Sequence, residues 1–126
     1  MRKLALLLTG LAIGAPATAA NWVLMTEAHN GDKFYVDAAS IRHVGKYVAM
    51  WRKTDMNKVD KFGDVSSKSL LYFDCDTQMR AIKSWITYDT KGEVSGSGTE
   101  TDYALEWRPV APDTVGEDYL NLACPD

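Results

Sequence analysis

Apolar and polar residues alternate along several short stretches of the chain, and that period of two marks strands. Trp22 to Ala28 reads as a first strand, with Trp22, Leu24 and Thr26 on one face. Asn30-Gly31 then signals a tight turn. Lys33 to Asp37 follows, with Phe34 and Val36 opposite Lys33 and Tyr35. Asp37 to Ser40 is a turn whose Asp and Ser can bond the local backbone, and Ile41 to Val44 continues extended up to Gly45-Lys46. Tyr47 to Thr54 is aromatic and β-branched, the composition strands favour.

Beyond that the pattern is less even. Asp55 to Ser67 reads as a long polar loop, and Lys68 to Cys75 as a strand with Leu71, Phe73 and Cys75 on one face. Met79 to Asp89 is a long strand whose Ile82, Ile86 and Tyr88 alternate only imperfectly. Glu93 to Thr101 is rich in Gly and Ser and reads as mobile, while Asp102 to Trp107 is the expected last strand. Pro109 and Pro112 bracket a loop. Thr114-Val115-Gly116-Glu117 matches the capping box, and Val115, Tyr119, Leu120, Leu122 and Ala123 suit a short amphipathic helix. Short turns between strands imply antiparallel pairing. The expected fold is α+β and mostly β: an antiparallel sheet of about six strands with one C-terminal helix packed on it.

The start of the chain changes the compartment. Met1-Arg2-Lys3 is basic, Leu4 to Ile13 is apolar, and Ala17 and Ala19 form the small-residue cleavage pattern. That is a secretory signal peptide over residues 1–19, leaving one domain over residues 20–126. The apolar run is too short to span a bilayer, which takes roughly 20 residues, and no later stretch does so. No Cys lies near the cut, so no lipid anchor is expected, and the product is periplasmic or secreted. Within its 126 residues, 46% are hydrophobic and 25% charged, a globular composition. With a formal charge of −3, bulk electrostatics give nucleic-acid binding no support.

Cys75 and Cys124 are the only cysteines. Two cysteines in an exported chain usually pair, and a bridge here would pin the helix to the sheet. Two buried free thiols or a metal pair are the alternatives, the latter a poor zinc site without a nearby His. His29 and His43 lack the neighbours that a metal or general-base role needs. Asp74 and Asp76 share a strand face and could hold a cation, but read as a solvated strand end. No nucleophile, phosphate-loop or metalloprotease motif occurs. Neither a catalytic residue, a metal ligand nor a cofactor is expected.

Charge and aromatics leave two functional openings. From Lys33 to Tyr88 ten residues are basic and six acidic, whereas from Asp89 onward two are basic and nine acidic. Arg52, Lys53, Lys58, Lys61 and Lys68 surround the long polar loop and are the candidate contacts for an acidic partner. Trp22, Trp51, Trp85 and Trp107 fall one per expected strand, as core residues or as a shared aromatic face.

The ordered set of short motifs resembles the surface-adhesin protein E family of exported bacterial proteins. The set comprises Trp22, Phe34-Tyr35-Val36-Asp37, Ser40-Ile41, Val48-Ala49-Met50-Trp51, Tyr72-Phe73-Asp74-Cys75-Asp76, Glu106-Trp107-Arg108-Pro109-Val110-Ala111-Pro112, Val115-Gly116 and Cys124. The resemblance covers nearly all of the chain after the signal. It implies a six-stranded sheet with a terminal helix and a non-enzymatic role, namesake members attaching bacteria to host matrix and plasma proteins. The expectation is therefore an exported binding protein of the cell envelope, engaged in adhesion or protein–protein contact, that takes a protein partner and admits a homodimer. The competing reading is a periplasmic small-molecule-binding protein or small hydrolase with an aromatic-lined cleft.

Overall fold

Turns built by short polar side chains divide the chain into strands that pair with their neighbours. The structure, a computed structural model, describes residues 19–125. The expected signal peptide therefore lies, all but Ala19, outside the described residues. Strands β1 (Trp22–Glu27), β2 (Lys33–Asp37), β3 (Arg42–Val44), β4 (Tyr47–Asp55), β5 (Asp64–Asp74), β6 (Met79–Asp89), β7 (Val94–Thr99) and β8 (Arg108–Pro109) form one antiparallel sheet. Helix α1 (Val115–Ala123) closes the fold. The sheet order is β1-β2-β4-β5-β6-β7. The short β3 continues the line of β2 along β4, and β8 continues the line of β7 along β6.

The turn chemistry is specific. Asp37 Oδ1 accepts from the Asn21 and Ala39 N–H groups at 2.9 and 3.1 Å, and Ser40 Oγ accepts from the Trp51 N–H at 2.9 Å. Gly31 has φ +93°, and a Cβ there would lie 2.9 Å from Asn57 Cγ, so both conformation and space require glycine. Asp74 is buried, not solvated as its sequence context predicted. Its Oδ1 accepts from the Asp76 and Thr77 N–H groups at 3.0 and 3.4 Å, and its Oδ2 lies 3.6 Å from Lys46 Nζ. The turn that follows needs those acceptors, and so the carboxylate points inward.

Three segments depart from expectation. The polar stretch Asp55 to Ser67 is strand at both ends: Asp55 pairs with Ser66 and Thr54 with Ser67, which shortens the loop to residues 56–63. One sheet face is open to water there, so polar side chains do not oppose pairing. The Gly/Ser stretch is the paired strand β7, with Gly98 opposite Trp85. A Cβ on Gly98 would lie 2.8 Å from the Trp85 ring. The glycine lets the indole lie flat on the strand and cover it. Asp102 to Trp107 forms a 3₁₀ turn (Asp102–Ala104) and a crossing segment, and pairing resumes only at Arg108. The imperfect alternation of β6 is a bulge: Leu70 opposes Ser84 and Leu71 opposes Ile82, so Lys83 is the extra residue and later positions change face.

The core lies between the sheet and α1. Val36, Val48, Met50, Leu71 and Phe73 pack against Tyr119, Leu120 and Ala123. Met50, Leu71 and Phe73 are fully buried, each contributing about 1.5–3 kcal/mol relative to exposure. The Tyr119 hydroxyl donates to the Tyr35 carbonyl at 2.8 Å. Burial pushes its phenol well above the ordinary tyrosine value. Thr114 caps the helix, accepting from the Glu117 N–H at 3.3 Å, while the Glu117 carboxylate takes the Asp113 N–H at 3.1 Å. That is the expected capping box with the return bond shifted by one residue. At the other end Cys124 is bonded to Cys75, with Cα atoms 5.6 Å apart.

Candidate partner-binding face

Because successive strand residues point to opposite sides, the sheet face away from α1 is built from the alternate set. Ala49, Leu70 and Tyr72 form its buried centre, packed by Val44, Tyr47, Trp51, Leu105 and Trp107. Tyr47 links the two neighbouring rings, its centroid 4.8 Å from Trp107 and 6.1 Å from Tyr72. The crossing segment thus covers one end of this face with Leu105 and Trp107. The other end is left to a different kind of residue.

There Lys53 on β4 stands directly opposite Lys68 on β5. Like charges facing each other across strands are destabilising. Aromatic rings from three further strands surround them. Lys53 Nζ lies 4.8 Å from the Tyr35 ring centroid and 5.4 Å from that of Trp22. Lys68 Nζ lies 5.1 Å from Tyr88 and 6.0 Å from Trp22. Both ammonium groups are thus held over π faces, which attract cations. Trp22 sits within reach of both. Carboxylate compensation is thin: Asp55 lies 4.0 Å from Lys53, and among the described residues no carboxylate oxygen comes within 4.0 Å of Lys68. A shallow cleft of about 390 Å³ opens beside them, lined by Lys53, Lys68, Tyr88 and Ser66 and, at its edges, by Asp55 and Asp89.

The five basic residues singled out in the sequence are not one group. Lys53 and Lys68 meet on the open face. Arg52, adjacent to Lys53 in the chain, points to the opposite face and donates to Ser69 Oγ at 3.3 Å beneath α1. Lys58 and Lys61 stand on the exposed 56–63 loop, where Lys61 Nζ lies 5.1 Å over the ring of the exposed Phe62. The aromatic partners were not singled out as a site, although three of the four tryptophans do share the open face. Trp85 is the exception. His29 and His43 are exposed and apart. Among the described residues, no three His, Cys, Asp or Glu side chains gather as a metal site.

An antiparallel sheet clamped to one helix, with cations and rings on its uncovered face, defines a small sheet-and-helix domain rather than a barrel or sandwich. Residues 22–125 match the family Surface-adhesin protein E, and the chain belongs to that family. Its fold is that of protein E of Haemophilus influenzae. One crystal form of that protein superposes with a TM-score of 0.58 at 14% identity, covering 91% of this chain and 96% of the other. A second structure of it gives 0.58 at 14% identity over 90% of each chain. Protein E from a non-typeable strain gives 0.54 at 14% identity, over 87% of this chain and 80% of the other. Among curated proteins, none matches the chain. Among the described residues, no helix is long and apolar enough to cross a membrane.

Proposed function

We propose that this is an exported, non-enzymatic binding protein of the bacterial cell envelope, and that it grips an acidic, extended segment of a protein partner on its open sheet face. Residues 1–19 direct export and residues 20–126 fold as the one binding domain, which acts in the periplasm or beyond it. Membership of the surface-adhesin protein E family supports an adhesion-type role. The carrying observation is the cross-strand lysine pair, held over Trp22, Tyr35 and Tyr88 with little carboxylate nearby. An acidic segment would relieve the lysine repulsion, and its apolar or aromatic side chains would lie on the same rings. Lys58, Lys61 and Phe62 extend the contact along the 56–63 loop.

The test is fluorescence anisotropy with a labelled peptide of alternating Glu and Phe. Saturable binding is expected, falling steeply with salt, and Lys68→Glu should weaken it about tenfold or more. A Lys/Phe peptide should not bind. Equal binding by Lys68→Glu and Trp22→Ala would remove the reading.

A further inference from the structure

The sheet face beneath α1 carries a second, separate feature. Arg52 on β4 and Arg80 on β6 both line a cleft of about 270 Å³ between the sheet and the segment leading into α1. A guanidinium has five N–H donors. Arg52 directs one to Ser69 Oγ and lies 6.0 Å from the Tyr119 ring. Among the described residues, no carboxylate oxygen lies within 4.0 Å of Arg52 or Arg80, whereas the buried Asp74 and the half-buried Lys83 each have an opposite charge. Burial pulls Arg52 below the usual guanidinium value; Tyr119 partly opposes that, and the Arg80 charge adds to it. Arg80 is lowered likewise by burial, then by Arg108. Arg52 is largely out of water and Arg80 about half so, and a buried cation without a close counter-charge is costly.

Leu71, Phe73 and Tyr119 lie behind the cleft with no surface exposed, while Val110 and Thr114 are its more accessible lining. Its volume amounts to on the order of nine waters. We infer that the Arg52–Arg80 cleft is a binding site for a small oxyanion, the carboxylate or phosphate group of a compact organic molecule. The two guanidiniums supply the planar donor forks that oxyanions take up bidentately. This site faces away from the lysine pair, so it is independent of the partner-binding reading.

The test is a titration of the ¹⁵N-labelled protein, following the arginine Nε–H signals by NMR, with phenylacetate, phenyl phosphate and the uncharged phenylacetamide. One or both anions should shift the Arg52 and Arg80 signals saturably, and the tighter of the two names the source of the oxyanion. Phenylacetamide should leave them in place. Arg80→Gln, at the more open edge of the cleft, should weaken binding about tenfold or more; Arg52→Gln should do so as well wherever its amide spectrum shows the native fold. No saturable shift with either anion overturns the assignment. So does an equal response to phenylacetamide, unchanged affinity in Arg80→Gln, or loss of binding in Lys68→Gln with Arg80→Gln unaffected.

Discussion

The two faces of the sheet come from alternate residues of the same strands, yet they treat their charges differently. On the face under α1, hydrophobic residues from β2, β4 and β5 close against the helix, and the cations sit at the border of that core, short of partners. On the other face, the centre is buried under the crossing segment, and beyond it the cations lie partly exposed over rings. The helix face takes its stability from burial and a covalent bridge. The open face gives some stability away by opposing two lysines. A sheet anchored on one side can tolerate unfavourable pairs on the other.

Removing the clamp should have the largest effect on that contrast. The double variant Cys75→Ser/Cys124→Ser should lose about 4 kcal/mol of unfolding free energy by the loop-entropy account. Denaturant titration gives the total, and hydrogen exchange should show the loss concentrated in α1. A native-like α1 with unchanged midpoint would mean that packing alone holds the helix.

Tyr119→Phe sharpens the comparison at a single bond. It strips the Tyr35 carbonyl of its buried donor and should cost about 1–3 kcal/mol. The pH dependence has a definite sign. The phenol is raised in the folded state, so its contribution is whole below the ordinary tyrosine value and falls away as pH rises above about 10. The wild type should therefore lose stability in alkali more steeply than Tyr119→Phe, and parallel curves would contradict the buried phenol.

The smallest effect belongs to the open face. Lys68→Thr removes one member of the like-charge pair and places a good strand former there. Its unfolding midpoint should stay within about 0.5 kcal/mol of the parent or rise slightly. A clear destabilisation would show that the lysine–ring contacts support the fold.

Features set by local chemistry were legible in the sequence. The Asp37–Ser40 turn, the Thr114–Glu117 cap, the bounds of β6 and the cysteine pair all follow from residues close together or from compartment. Strand β7 was not, because what makes Gly96 and Gly98 acceptable is Trp85, a residue on the neighbouring strand. The basic group was half legible. Simple alternation already separates Arg52 from Lys53, but no local signal unites Lys53 with Lys68, Trp22, Tyr35 and Tyr88, which register alone brings together. The nearness of Arg80 to Arg52 was not legible for the same reason: the two lie two strands apart.

The order of strands in the sheet is nearly their order in the chain. Most pairings can therefore form by zipping successive hairpins, a topology of low sequence separation that favours fast folding. The exceptions are the return of β8 to β6 and, above all, the closure that brings Cys124 to Cys75 across 49 positions. Until it is made, neither side of the nascent sheet is covered by the helix. The final docking step thus does more than stabilise: it decides which side becomes interior and which is left facing the outside world.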